Sequence, residues 1–292
     1  MAMQRRRTTK SGTEMVYRHP LLVRVSHWLN AVAMVVLLFS GFQILNAHPA
    51  FYWGEVSRFD EPAFAVTTDM ADDGSLKGHL VIGDWRLETT GVLGASRDAE
   101  GYLQPRAMPA WLTLPGYPDL GAGRAWHFFF AWILVFNGAA YGAYLLASGR
   151  LGSLLLPSLA ELRRVPRSVL DHMRLRFAHG EDAAGYNVLQ KLAYLTVIFL
   201  LVPGMLVTGL AMSPAMDAVF PFLTSVLGRQ TMRTLHFLCA GSLVLFVFVH
   251  LAMVVAAGPV NEVRSMITGW FALPKSRPAR GAENTEASGD TP

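Results

Sequence analysis

The sequence has few charged residues and a single cysteine. Asp, Glu, Lys and Arg make up 16% of its 292 residues, whereas soluble domains usually carry about 25%. Cys239 alone excludes an intrachain disulfide, a thiolate zinc site, a cysteine-ligated iron–sulfur cluster and a CxxCH haem tether. The hydrophobic content of 52% excludes a disordered chain. Together these properties argue against an ordinary soluble enzyme.

Four long stretches contain no Asp, Glu, Lys or Arg. Each has about 20 residues, which is enough to cross about 30 Å of hydrocarbon as a helix. They cover residues 25–45, 125–147, 192–212 and 235–257. Four such runs hardly fit a soluble core, so we predict an all-α membrane protein with a four-helix transmembrane bundle. Pro203-Gly204 in the third run predicts a kink that neighbouring helices can satisfy.

The charges divide unequally between the two sides of this bundle. Residues 1–24, residues 148–191 and the chain after residue 257 hold 17 Lys/Arg and 9 Asp/Glu, and the other two loops hold 8 and 12. The net charges are therefore +8 and −4. Because cytoplasmic loops carry the excess of Lys and Arg, we expect a bacterial inner-membrane protein with both termini in the cytoplasm.

The predicted organisation has a cytoplasmic segment over 1–24, a transmembrane domain over 25–273 and a disordered cytoplasmic tail over 274–292. Residues 46–124 form a large periplasmic insertion with a net charge of −5, either a solvated surface or a docking platform for a periplasmic partner. Residues 148–191 form a cytoplasmic loop. Its basic stretch 154–177 is expected to lie on anionic lipid.

Four of the nine histidines lie in or at the ends of the spans, where an ionisable residue is a functional candidate. His27 and His250 lie toward the cytoplasm, and His127 and His236 toward the periplasm. On a helix, the 14 residues between His236 and His250 fall about 40° short of four turns and rise about 21 Å. Both side chains therefore project from nearly one face. Equal depths pair His127 with His236, and His27 with His250.

Each histidine pair is suited to hold the iron of one b-type haem. A bis-histidine site is closed to substrate and therefore carries electrons. The alternative for any single histidine is a hydrogen-bonded packing role, whereas zinc would need three or four ligands at one depth. The remaining histidines are expected to be solvated in loops: His19, His48, His79, His172 and His179.

Haem propionates require cationic partners at the membrane interfaces. Arg18 and Arg24 are placed for the cytoplasmic haem, and Arg124 and Arg233 for the periplasmic one. Simple interfacial anchoring is the alternative for all four arginines.

Several motifs lie around these histidines. They are Arg24-Val-Ser-His27-Trp-Leu-Asn30, Arg124-Ala-Trp-His127, Tyr186-Asn187-x-x-Gln190-Lys191, and His236 with His250. In these motifs the chain resembles the bacterial cytochrome b-561 / nickel–iron hydrogenase b-type cytochrome superfamily, which includes the formate dehydrogenase gamma subunit. The resemblance implies a four-helix di-haem bundle with the same histidine pairing, moving electrons between quinone and a partner at the membrane surface.

Members that resemble the formate dehydrogenase subunit have a quinone site beside the cytoplasmic haem. The resemblance makes Asn187 and Gln190 candidates for hydrogen bonds to a quinone carbonyl. The alternative is a polar cap at the start of the third helix, since Asn is a good N-cap residue. The long insertion departs from the simplest members and looks similar to members that serve molybdopterin oxidoreductases of the sulfite-oxidase type.

We therefore predict a cytochrome b with two haem b groups. It transfers electrons between the quinone pool and a periplasmic redox protein, for which a molybdopterin oxidoreductase is the candidate. The expected partners are the lipid bilayer, quinone and that redox protein, with no nucleic acid. Two alternatives are a stand-alone quinone-linked superoxide oxidase and a non-redox membrane anchor or transporter.

Overall fold

The computed structural model describes residues 5–10, 12–98, 100–149, 151–174 and 186–273. The predicted tail over 274–292, His179 and the end of the basic stretch 154–177 lie outside the described residues, as does the side chain of His172.

The described residues form ten α-helices. They are α1 Leu21–Leu45, α2 Leu120–Ala147, α3 Leu159–Arg163, α4 Val165–Met173, α5 Val188–Thr196, α6 Val202–Ala211, α7 Pro214–Val219, α8 Phe222–Ser225, α9 Arg229–Ala257 and α10 Pro259–Thr268. Four helical segments are long and apolar enough to cross a membrane: α1, α2, Val188–Ala211 and α9. This number agrees with the four predicted spans.

The second and fourth spans begin earlier than their apolar runs because polar groups complete their first turns. The Asp119 carboxylate accepts a hydrogen bond from the Ala122 amide at 2.8 Å, which caps α2. The carbonyl of Gly54 accepts from the amides of Gln230 and Thr231, both at 3.1 Å. The N-terminus of α9 is therefore satisfied by a distant loop.

The third span contains a local irregularity at the predicted kink. A π-helical turn, Val197–Leu201, joins α5 to α6. Pro203 is the second residue of α6, one residue beyond this turn. It has no amide hydrogen, and in a regular α-helix its ring would clash with the carbonyl four residues earlier. A wider turn at this position accommodates the proline ring.

The prediction of an all-α protein is incomplete, because nine strands form in the described residues. They are β1 Arg6–Thr8, β2 Glu14–Tyr17, β3 Ala50–Phe51, β4 Phe64–Met70, β5 Leu76–Ile82, β6 Trp85–Glu88, β7 Ala95–Arg97, β8 Leu103–Pro105 and β9 Trp270–Ala272. Their sheets have the orders β1-β2-β9, β3-β4-β5-β6 and β7-β8. Six of these strands lie between α1 and α2, where β4 and β5 pair in antiparallel register from Phe64↔Ile82 to Met70↔Leu76.

The chain divides into two compact units. The first unit contains Met1–Arg24, Gly149–Ala193 and His250–Pro292, and the second contains Val25–Ser148 and Tyr194–Val249. The predicted organisation, with one transmembrane domain over 25–273, stays a prediction.

In the second unit, an aromatic cluster joins the strands to the ends of two helices. The ring of Phe237 on α9 stacks on Phe51 with centroids 4.3 Å apart and lies 5.0 Å from Phe64. Leu45 at the end of α1 and Met108 are buried against the same cluster. This apolar contact fixes the sheet β3-β4-β5-β6 on the ends of α1 and α9.

In the first unit, Glu161 links two helix starts. Its carboxylate accepts from the Ser158 amide at 2.7 Å, which forms a capping box at α3, and from the Lys191 ammonium at 2.7 Å. These hydrogen bonds to the ionised form lower the pKa of Glu161 to about 2. The ionised Glu161 carboxylate therefore stabilises the folded state fully above its ordinary pKa of 4.5, and this stabilisation is lost as the pH falls from 4.5 toward 2.

Glu161→Gln should flatten the acid limb of the stability curve between pH 4.5 and 2. Near neutral pH the loss should be at most about 1 kcal/mol, because the carboxylate is 34% exposed and solvent screens the ion pair. Thermal unfolding of the purified protein across this pH range measures both effects. Glu100→Gln, at an exposed position, is the control, and an unchanged acid limb in Glu161→Gln would contradict the assignment.

Candidate haem site

The predicted pair His127 and His236 comes together in the second unit. His127 lies on α2 and His236 on α9, and their ring centroids are 6.3 Å apart with an angle of 58° between the planes. Two metal–imidazole bonds of about 2 Å, plus about 1 Å from each nitrogen to its ring centre, require centroids about 6 Å apart. The observed separation therefore fits two imidazoles on opposite sides of one iron.

Ser40 determines the tautomer of His127. Its hydroxyl lies 2.6 Å from the carbonyl oxygen of Val36, one turn earlier on α1, and 3.1 Å from Nδ1 of His127. A hydroxyl has one hydrogen, and here it is donated to the backbone. Nδ1 must therefore carry the proton and donate to Ser40, which leaves Nε2 as the lone-pair nitrogen that a metal requires.

Thr208 repeats this arrangement at His236. Its hydroxyl lies 2.6 Å from the carbonyl oxygen of Gly204 on α6 and 3.0 Å from Nδ1 of His236. The same reasoning protonates Nδ1 and leaves Nε2 available. Ser40 and Thr208 are 0% and 6% exposed, so both hydrogen bonds lie inside the protein.

A glycine follows each hydroxyl residue and faces the same imidazole. A Cβ at Gly41 would lie 3.5 Å from Cε1 of His127, and one at Gly209 would lie 3.4 Å from Cε1 of His236. A methyl group would just reach van der Waals contact there, so larger side chains would displace the ring. The sequence contains a signal for both positions, the dipeptides Ser40-Gly41 and Thr208-Gly209 inside apolar runs, but our sequence reasoning missed the role of the two hydroxyls.

The second predicted pair falls in different compact units. His27 belongs to the second unit and His250 to the first, and their pairing remains a prediction. Helix α9 is continuous from Arg229 to Ala257, so the 14-residue spacing of His236 and His250 lies on one helix as the sequence predicts. Among the residues that the structure describes, no group of three or more His, Cys, Asp or Glu is arranged to hold a metal ion.

A polar contact near His27 was not anticipated from the sequence. The Asn137 amide on α2 donates to the Asn30 side-chain oxygen at 2.7 Å and to the Ser26 carbonyl at 3.1 Å. Polar groups inside membrane segments are commonly functional or join helices. Here they join α1 and α2 beside the residue predicted to bind the second haem.

The two arginines predicted for the periplasmic haem differ in their surroundings. Arg124 is exposed and lies over the ring of Phe128 at 5.7 Å. Arg233 lies over Phe51 at 5.0 Å and donates to the backbone carbonyl of His48. His48 is half-buried, contrary to its predicted solvation, and burial followed by the nearby Arg233 charge lowers its pKa.

The two arginines predicted for the cytoplasmic haem have protein partners in the first unit. Arg24 donates to the carbonyl of Ile267. Arg18 lies 3.8 Å from the carboxylate of Glu262 and over the ring of Phe271 at 4.9 Å. Burial raises the pKa of Glu262 against the opposing effect of Arg18. These contacts give both arginines partners within the protein, and their role toward a haem stays a prediction.

Asn187 and Gln190 cap the third span. The backbone N–H of Gln190 donates to the side-chain oxygen of Asn187 at 3.0 Å, and the backbone N–H of Asn187 donates to the side-chain oxygen of Gln190 at 3.1 Å. Both oxygens thus serve the helix start, as the predicted alternative has it. Asn187 also lines an open cleft of about 450 Å³, together with Glu161, Arg164, Arg167, Ser168, Asp171 and Val188.

Two other histidines predicted to be solvated are engaged in the protein. His19 is buried, with 7% exposure. His79 on β5 is 17% exposed and contacts the Asp69 carboxylate at 2.9 Å and the Arg86 guanidinium at 3.1 Å. The prediction failed because strand pairing, which apolar-run analysis does not detect, brings Asp69 and Arg86 beside His79.

Comparison with known proteins is consistent with this geometry. The family described as prokaryotic cytochrome b561 matches residues 18–269. A chain of Azospira oryzae, provisionally named as the protein-methionine-sulfoxide reductase subunit YedZ1, is 30% identical over 237 residues, which cover 81% of this chain and 89% of the relative. No solved structure matches. The family binds haem b and transfers electrons in the membrane, and this chain belongs to the prokaryotic cytochrome b561 family.

Proposed function

We propose that this protein is a di-haem cytochrome b that transfers electrons between the quinone pool and a periplasmic redox protein. The observation that carries the proposal is the pair His127 and His236, with centroids 6.3 Å apart and each Nδ1 engaged by a hydroxyl. His27 and His250 form the second site in this proposal. Bound haem would supply one-electron chemistry, and iron held by two histidines would transfer electrons without binding a substrate.

The protein itself contributes ligands, their orientation and exclusion of water. Both histidines of the first site lie inside the membrane spans, and the hydroxyls that orient them are buried. A rigid and dry environment keeps the ligands in place during a change of iron charge. Arg124 and Arg233, which lie near the start of α2 and α9, are the proposed partners for the propionates of this haem, and Arg24 for those of the second.

The positive-inside rule and the family relationship together support the proposed orientation of the protein in the membrane. Both termini lie in the cytoplasm, and the segment between α1 and α2 faces the periplasm. The name of the Azospira relative makes a periplasmic protein-methionine-sulfoxide reductase the proposed partner, of the molybdopterin-dependent class in our proposal. The net charge of −5 over 46–124 would favour a basic docking surface on that partner.

Quinone is the proposed redox partner at the cytoplasmic side. In this proposal the side-chain NH₂ groups of Asn187 and Gln190 would donate to a quinone carbonyl, while their side-chain oxygens serve the cap. Asn187 also lines the cleft of about 450 Å³, and this cleft is the space in which the quinone would bind.

Isosteric variants separate this quinone role from the capping role. Asn187→Asp and Gln190→Glu keep the capping oxygens but replace the NH₂ donors. We expect them to slow haem reduction by duroquinol at least about fivefold, because each loses a hydrogen bond worth about 1 kcal/mol or more and gains a charge. Stopped-flow absorbance of the purified full chain measures the rate. Gln104→Glu, in β8, is the control, and unchanged rates would leave the cap as the sole role.

The same preparation tests the overall proposal against its alternatives. We expect a low-spin b-type spectrum with two haems per chain. A folded protein without haem would exclude the proposal in favour of a non-redox anchor. Rapid superoxide consumption by the isolated chain with quinone would favour the stand-alone oxidase.

A further inference from the structure

We infer that Ser40 and Thr208 are positioning residues that set the reduction potential of the haem held by His127 and His236. The inference rests on the proposed function, because it requires haem at this histidine pair. It concerns two hydroxyls that do not touch the iron and act through the imidazole rings.

The same geometry occurs twice on separate helices. Ser40 on α1 contacts Nδ1 of His127 at 3.1 Å, and Thr208 on α6 contacts Nδ1 of His236 at 3.0 Å. Each hydroxyl gives its only hydrogen to a carbonyl four residues earlier, at 2.6 Å in both cases. Both oxygens are therefore oriented as acceptors before any haem is present.

Backbone carbonyls reinforce the arrangement. The Ser40 hydroxyl also lies 3.3 Å from the carbonyl oxygen of Leu37, and the Thr208 hydroxyl lies 3.3 Å from that of Met205. Each carbonyl belongs to the helix turn that precedes the hydroxyl residue, so each hydroxyl hydrogen is directed to the backbone. An imidazole beside such a hydroxyl donates from Nδ1, so both rings present Nε2 in one fixed tautomer.

Because each hydroxyl oxygen accepts the hydrogen bond from Nδ1, each imidazole becomes a stronger electron donor through Nε2. A more basic ligand stabilises ferric iron relative to ferrous iron, so the two hydroxyls together lower the reduction potential. They also restrict rotation of the rings about the Nε2–iron direction. Removing either hydroxyl should therefore raise the potential of this haem and leave the other haem unchanged.

The competing explanation is that both hydroxyls only satisfy their own hydrogen-bonding needs inside a membrane helix. Ser and Thr commonly donate to the carbonyl four residues earlier. Ser242 on α9 provides the matched case, because it donates to the Leu238 carbonyl at 2.8 Å and contacts no imidazole among the described hydrogen bonds. A substitution at Ser242 removes this kind of bond without affecting a predicted ligand.

Potentiometric titration of the purified full chain tests the inference with the variants Ser40→Ala, Thr208→Val and Ser242→Ala. We expect each of the first two substitutions to raise the reduction potential of one haem by about 59 mV, which is a tenfold change in a one-electron reduction equilibrium. Ser242→Ala should leave both potentials unchanged. The single variants Ser40→Thr and Thr208→Ser keep a hydroxyl at each position and should have the reduction potential of the unaltered protein.

Two negative outcomes have separate meanings. If Ser40→Ala and Thr208→Val retain both haems at unchanged potentials, the inference is wrong while the proposed function stands. If the unaltered protein shows no haem that depends on His127 and His236, the proposed function fails first. If Ser40→Ala loses one haem, recovery of that haem and its potential in Ser40→Thr supports the inference, and no recovery overturns it.

Discussion

His127→Ala should leave the purified protein with one haem per chain in place of two. His127 and His236 form one pair with centroids 6.3 Å apart, and removal of one axial ligand from a bis-histidine site leaves the iron with a single protein bond. The second haem should remain, because its proposed ligands are His27 and His250. Haem content per mole of protein, together with the reduced-minus-oxidised spectrum, measures the result.

His79→Ala is the matched control for this experiment. His79 lies on β5 in contact with the Asp69 carboxylate, outside the spans, so its removal should leave both haems bound. Retention of both haems in His127→Ala would contradict the assignment of His127 as a ligand. Loss of both haems in a protein that stays folded would contradict two independent sites.

Gly78→Ala should strongly destabilise the strands between α1 and α2. A Cβ at Gly78 would lie 2.0 Å from the carbonyl oxygen of Leu93 and 2.6 Å from the amide nitrogen of Ala95. Both are backbone atoms and cannot rotate away, so the segment over β5 must separate from residues 93–95. The expected cost is about 3–5 kcal/mol, the range of severe core substitutions. Thermal unfolding and limited proteolysis of the purified protein measure it.

Gly74→Asn is the control for backbone strain. Gly74 has φ +76 with no heavy atom within 4 Å of an added Cβ, and Asn tolerates this left-handed conformation better than other residues. We expect its cost to stay below about 1 kcal/mol. An equally small effect in Gly78→Ala would show that the two backbone segments are less tightly packed than the structure places them.

The spans were predictable because their signal is local. Twenty uncharged residues in sequence are sufficient for the assignment, and all four predicted runs form helices. The ends were less predictable. The start of α9 depends on the Gly54 carbonyl, which accepts a hydrogen bond from the Thr231 backbone amide. The sequence near residue 229 does not predict a contact with a residue so far away in the chain.

The first histidine pair was also predictable, from helical periodicity and depth. The hydroxyls beside it were not, although Ser40-Gly41 and Thr208-Gly209 are visible in the sequence. A serine or threonine in an apolar helix usually satisfies itself by donating to its own backbone. Only the position of the neighbouring helix reveals that the same oxygen also accepts from a histidine.

The strands between α1 and α2 were missed for a different reason. Uncharged runs indicate spans, but the sequence between them does not distinguish a loop from paired strands, since pairing depends on residues that meet only in the fold. His79 illustrates the consequence, because its contacts to Asp69 and Arg86 come from three adjacent strands, β4, β5 and β6.

The attachment of Gly54 to α9 has a consequence for the order of folding. The Gly54 amide donates to the Thr231 hydroxyl across 177 positions of sequence, so this contact closes one of the longest loops in the chain. Contacts of such sequence separation form late. We therefore expect the first turn of the helix that carries His236 to be completed late in folding, when the Gly54 loop packs against it. Deletion of that segment should therefore destabilise the start of α9, the helix that carries the proposed haem ligand His236.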